Sequence, residues 1–142
     1  MDDLLAAVKT VLGARSDVRL ALVFGSRARG DSRPDSDLDV AALFDSDPSL
    51  LELGGVVSEL ESATGLEVDL VELRNLPSRE PYLAYLIAAE GVAAFERTPG
   101  AFADYKTDAC IRWFDIQDFH ERQMRLMRER IEAGTFGRPT DA

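Results

Sequence analysis

The chain has 142 residues, 46% of them hydrophobic, with a formal net charge of −10. That length suits one domain around a single core, and a surface of that sign repels phosphate backbones, so no stable non-specific nucleic-acid binding is expected. No apolar run approaches the ~18–20 residues of a membrane-spanning helix. The acidic start Met1-Asp2-Asp3 is unlike a secretory leader, and the one cysteine, Cys110, builds neither an internal disulfide nor a thiolate zinc cluster. The expected setting is a reducing cytoplasm, away from the membrane.

From Asp2 to Arg15, the residues Leu4, Leu5, Val8, Val11 and Leu12 recur at helical spacing, with acids at the start and Gly13 near the end. Val18 to Phe24 (VRLALVF) is short, apolar and β-rich, and Gly25 stops it, which predicts a buried strand. Leu38 to Phe44 predicts a second strand. Pro48 is expected in the first turn of a helix running to about Ala63, with Gly54-Gly55 as its weak point. Glu67 to Leu73 (EVDLVEL) predicts a third strand, Pro81 to Glu90 a helix, and Val92 to Phe95 a short strand or extended connector.

The last long segment, about 102–132, reads as one helix on which Trp113, Ile116, His120, Met124, Met127 and Ile131 form a stripe. Residues 1–134 are then a single domain and 135–142 a flexible tail. The fold class is α/β (α+β), a small mixed sheet flanked by helices.

The chemistry lies in Val23 to Phe44, VFGSRARGDSRPDSDLDVAALF. Asp37 and Asp39, two apart at a strand start, leave the same face with Cα atoms ~6–7 Å apart. Carboxylates held so near repel each other and raise one pKa unless a cation joins them. A pair of hard oxygen ligands suits Mg²⁺, which completes its octahedron with water and substrate phosphates. Gly25, after a buried strand, allows close approach to the backbone. Ser26 is then placed to cap a short turn, Arg27-Ala28-Arg29, that Gly30 closes, making an anion site beside the acids. Arg27, Arg29 and Arg33 supply local positive charge. In EVDLVEL, Asp69 points away from Val68 and Leu70. If its strand neighbours that of Asp37, three acids converge and two metal ions ~3.5–4 Å apart can hold an in-line displacement. Glu67 shares that face and is the rival third carboxylate.

Gly25-Ser26-x-Ala28-Arg29-Gly30 followed by Ser36-Asp37-x-Asp39 resembles the signature of the minimal nucleotidyltransferases (MNT) of the polymerase-β superfamily. The resemblance extends through the order of elements to the acid in the third strand and the long closing helix. It implies the polymerase-β-like fold and Mg²⁺-dependent transfer of a nucleoside monophosphate from ATP to a hydroxyl. It assigns Asp37 and Asp39 to both metals, Asp69 to one, and Gly25, Ser26 and, less directly, Arg29 to the triphosphate. Small stand-alone members resembling this chain are antitoxins paired with an HEPN-domain ribonuclease toxin, some of them adenylylating a toxin tyrosine. An oligomer with that partner is part of the same expectation.

Plainer readings stand beside these. GSRARG alone is as readily a simple turn, no Gly-Lys-Ser/Thr of a Walker loop follows, and Val40 stands where an EF-hand needs glycine. His120 reads as a packed or partner-facing residue, Trp113, Phe114 and Phe119 as core or interface, and Arg122, Arg125, Arg128 and Arg130 as a solvated face. Tyr82, Tyr85 and Tyr105 read as packing before they read as modification targets. Two other functions remain open: a binding module that neutralises its partner by contact alone, and transfer to a small molecule such as an aminoglycoside.

Overall fold

The computed structural model describes residues 1–134, and the tail expected over 135–142 lies outside them. In chain order the elements are α1 (Asp2–Gly13), β1 (Val18–Phe24), α2 (Ser26–Arg29), β2 (Leu38–Phe44), α3 (Leu50–Thr64), β3 (Val68–Glu72), α4 (Leu76–Arg79), α5 (Pro81–Glu90), β4 (Val92–Glu96) and α6 (Ala101–Glu132). The four strands form one mixed sheet in the order β3-β2-β1-β4. β1 runs antiparallel to both β2 and β4, while β2 and β3 are parallel, joined through α3 as parallel strands require.

The sheet is covered on both faces, so β1 and β2 read as nearly continuous apolar runs. On one face Val18, Ala21, Val23, Leu38, Val40, Ala42 and Phe44 pack with Val8 and Leu12 of α1 and Val56 and Leu60 of α3. On the other, Leu20, Leu22 and Ala41 pack with Leu76, Ala84, Ile87, Ala88, Tyr105 and Ala109 from α4, α5 and α6. The polymerase-β-like arrangement expected from the sequence is present, with α4 as an unforeseen short helix and Val92–Glu96 as a true edge strand.

Pro48 is not in the first turn of α3. Ser49 caps that helix, its hydroxyl accepting the Glu52 N–H at 3.1 Å, which satisfies one of the first-turn donors that have no main-chain acceptor. Gly54 and Gly55 do not interrupt α3: both are exposed, and the burial of Val56 and Leu60 on the opposite side holds the helix together.

Only the first part of α6 packs on the sheet. Tyr105 and Ala109 are buried, and Trp113 rests on Tyr82 and Tyr85 of α5 with ring centroids 5.1 and 6.0 Å apart. Burial, with the Asp108 and Glu72 charges nearby, pushes the Tyr105 phenol well above its ordinary range. The expected stripe does not continue as a packed one. His120 is exposed, Ile131 is 58% exposed, and Phe114 and Phe119, read as core or interface, are 54% and 62% exposed. The cause is length. A helix of 32 residues spans roughly 48 Å, about two to three times the reach of strands of five to seven residues. No helix among the described residues is long and apolar enough to cross a membrane.

Leu60→Ala empties a fully buried position and is expected to cost about 2–5 kcal/mol in urea unfolding. Leu51→Ala, on the same helix but 88% exposed, is expected to change stability by less than about 0.5 kcal/mol. Equal losses would contradict the packing of α3 described above.

Candidate active site

Strand register assembles the site. Phe24 at the end of β1 lies opposite Asp39, and Asp39 is the register partner of Asp69 on β3. Because Leu38 and Val40 are buried among the α1 and α3 side chains, Asp39 between them projects from the opposite face of the sheet. Asp37 sits one residue before β2. It is fixed from both sides: the Leu38 N–H donates to the Glu67 carbonyl at 2.8 Å, and the Ser36 carbonyl is gripped by Arg27 at 2.7 Å. Glu67 thus contributes its main chain to the pairing of β2 and β3. It is Asp69 that lies beside Asp39.

Asp39 feels the other two acids. Partial burial of Asp39 raises its pKa above the usual carboxylate value, the charges of Asp69 and Asp37 raise it further, and Arg29 opposes them. Asp37 and Asp69 are exposed. Among the described residues no group of three Asp, Glu, His or Cys closes into a ready metal cage. An open set of hard oxygens is nonetheless what Mg²⁺ uses when substrate phosphates complete its shell, so the donor set fits a divalent cation brought in with a nucleotide.

Gly25 borders the acids directly. Its φ of 73° and ψ of −154° lie in a region essentially confined to glycine, and a Cβ there would overlap Asp39 Oδ2. Gly25, and not Ser26, is the cap of α2, so the expected capping role of Ser26 is not borne out: Ser26 makes no side-chain capping bond. The Gly25 carbonyl accepts from Ala28 and Arg29 at 3.1 and 3.0 Å, and Gly30, at φ 81°, closes the turn as expected. Its hydroxyl uncommitted, Ser26 stands directly after the glycine that abuts Asp39.

The arginines divide their labour. Arg29 pairs with Asp31 at 3.3 Å and with Glu90, at the end of α5, at 3.0 Å. Arg27 bonds to main-chain carbonyls of the loop between α2 and β2. Arg33 is exposed. Neither Arg27 as a brace nor Glu90 as a partner of Arg29 is visible from spacing, although Arg27 stands in the middle of the GSRARG run.

At one end of the sheet, then, the glycine after β1, the short turn α2, the Asp37 and Asp39 pair at the start of β2 and Asp69 on β3 lie together. Residues 7–99 match the model of the polymerase beta nucleotidyltransferase family, and the chain belongs to that family; it is a nucleotidyltransferase. Over 78 residues it is 41% identical to the protein adenylyltransferase MntA of Thermococcus cleftensis, covering 55% of this chain and 79% of that protein. A solved toxin–antitoxin structure with AMP-PNP aligns at a TM-score of 0.72 and 23% identity, over 86% of this chain and 94% of the other. A tri-AMPylated Shewanella oneidensis HEPN toxin in complex with its MNT antitoxin contains a chain that aligns at 0.61 and 19% identity, over 90% and 96%. At those identities the two structures speak for the fold.

Gly25→Ala is expected to cost about 1–3 kcal/mol from the backbone conformation alone and to displace the Asp39 carboxylate. Thermal melts and transfer assays on the variant check both. Asp39 also sets a pH signature. An acid whose folded pKa is raised makes the folded state less stable as pH climbs through that range, and the penalty is complete above it. In metal-free buffer Asp39→Asn is therefore expected to melt at or above the wild type at neutral pH. The difference should shrink as pH falls into the carboxylate range, and a variant that melts lower at neutral pH contradicts the account.

Proposed function

We propose that this nucleotidyltransferase moves AMP from ATP to a hydroxyl of a partner protein, a tyrosine of an HEPN-domain toxin, and acts by that transfer as an antitoxin. The observation that carries the chemistry is the row Gly25, Asp39, Asp69: a glycine with no room for a side chain against Asp39, and Asp69 beside Asp39 on the next strand. The protein acceptor follows the relative named as a protein adenylyltransferase and the AMPylated HEPN toxin in the solved complex.

On this reading Asp37 and Asp39 hold two Mg²⁺ ions and Asp69 holds one of them. When bound, Mg²⁺ neutralises triphosphate charge and makes the α-phosphorus a better electrophile. Gly25 lets the triphosphate approach the main chain, and the uncommitted Ser26 hydroxyl donates to it. Arg29, positioned by Glu90, adds a guanidinium to the same phosphates. Asp69, the exposed carboxylate of the row, accepts the proton of the incoming hydroxyl. The hydroxyl oxygen bonds to the α-phosphorus, the bond to the β-phosphate oxygen breaks, and pyrophosphate leaves. Locating this chemistry in the cytoplasm belongs to the same proposal.

The test uses ATP labelled at the α-phosphate, with Mg²⁺, in lysate of the source cells, comparing wild type with Asp39→Asn. Label on a discrete protein band with the wild type only is the expected result, and that band identifies the acceptor. Equal labelling by the two proteins rejects Asp39 as a metal ligand.

A second reading, neutralisation by contact, is favoured by the far half of α6, where Phe119 and Ile131 are exposed. Removing α6 from Phe102 onward would also strip Tyr105 and Ala109 from the core, so the sharper probe is Phe119→Glu. Cells protected by Asp39→Asn but not by Phe119→Glu would favour contact over catalysis.

A further inference from the structure

Among the described residues, no ion pair uses the charge of Arg27. In a chain of net charge −10, and with Asp35 and Asp37 close by in sequence, no carboxylate among the described residues lies within 4.0 Å of its guanidinium, whereas Arg15, Arg19, Arg29, Arg112 and Arg122 each have at least one that close. Arg27 instead donates from Nε and Nη2 to the Ser36 carbonyl at 3.3 and 2.7 Å, and from Nη2 to the carbonyls of Arg33 and Pro34 at 3.4 and 3.5 Å. Those carbonyls belong to the loop between α2 and β2. The loop is already folded back on itself, with Arg33 N–H donating to Ser36 Oγ at 2.8 Å and Ser36 N–H to the Arg33 carbonyl at 3.0 Å.

The Ser36 carbonyl matters because it shares a rigid peptide plane with the Asp37 N–H. Gripping that oxygen sets the orientation of the plane from which Asp37 departs. The following amide, that of Leu38, is held by Glu67. Asp37 is thus positioned by a side chain on one side and by the sheet on the other. Only the first of these belongs to α2, the turn that also carries Ser26 and Arg29.

We propose that Arg27 is a positioning residue. Its planar fork locks the loop before β2 so that Asp37 is presented to the metal beside Asp39, coupling the placement of the carboxylates to the phosphate-facing turn. This rests on the reading of Asp37 and Asp39 as metal ligands. A guanidinium suits the task because its donors are fixed in one plane and reach several carbonyls at once, whereas an ammonium is a single point.

The test compares wild type, Arg27→Gln, Arg27→Lys and Asp39→Asn, all full length. Amide hydrogen exchange is read on the metal-free proteins, and Mn²⁺ binding is read by the loss of the free-ion electron paramagnetic resonance signal. Arg27→Gln is expected to speed exchange at 31–37 while 18–24 in β1 stay protected, and to weaken Mn²⁺ binding ~10–100-fold, as loss of a support behind a metal ligand does. Arg27→Lys should recover part of both effects. A merely structural brace would lower the melting temperature and leave the Mn²⁺ dissociation constant of the folded fraction unchanged, which would overturn the proposal, as would unchanged exchange at 31–37. Wild type binding Mn²⁺ no better than Asp39→Asn would overturn the metal reading and this inference together. Wild-type affinity in Arg27→Gln overturns this inference alone.

Discussion

Everything at the site depends on the register in which β2 lies between β1 and β3. Leu38, Val40, Ala42 and Phe44 fill the face packed by α1 and α3, and that burial pins the strand. A slip of one residue would drive Asp39 into this apolar layer and expose Leu38, an exchange of side chains that no sheet with a buried face tolerates. The pairing that hides the leucine is the same pairing that sets Asp39 against Phe24 on one side and Asp69 on the other. Hydrophobic burial, which has no directional preference of its own, thereby fixes the charged groups of β2 and β3 relative to each other and to the end of β1.

The assembled acids are held at a cost. Asp39 is partly desolvated and surrounded by like charge, a local conflict of the kind that marks functional sites in otherwise consistent sequences. The strained conformation of Gly25 belongs to the same arrangement, since any side chain there would occupy the space of the Asp39 carboxylate. Around this acidic row the arginines of one short turn serve different ends. Arg27 satisfies carbonyls of the approaching loop, while Arg29 reaches to Glu90 on α5 and tempers the Asp39 charge. Turn α2 therefore joins the acidic strands to the helical layer that carries α6.

α6 presents the opposite problem, too little to pack against. Its first part is anchored through Tyr105, Ala109 and Trp113, and the remainder leaves the body with Phe119, Met124, Leu126 and Ile131 at 40% exposure or more. Charges interleave with these side chains, with Arg112 and Arg122 each paired to an aspartate one turn back, so the helix has local support along its length. The geometry suits a protein whose reactive groups sit at one end of a small sheet while a separate arm extends well beyond it.

The sequence by itself determined most of the elements and the motif on which the proposed site rests. Apolar runs of strand length, helical spacing in α1, α3 and α6, and the Gly-Ser and Asp-x-Asp pairs in order were legible because each depends on neighbours a few residues apart. Tertiary structure alone placed Asp69, and not Glu67, beside Asp39, because strand pairing sets Asp69 opposite it while Glu67 lends its carbonyl to Leu38. It also moved the cap of α2 from Ser26 to Gly25, through a close approach between strands that no local pattern encodes. The 3.6-residue stripe on α6 likewise named residues of one face without saying whether anything lay opposite. Periodicity is a property of the chain, whereas burial requires a second surface, and Phe119, Met124, Leu126 and Ile131 stay exposed.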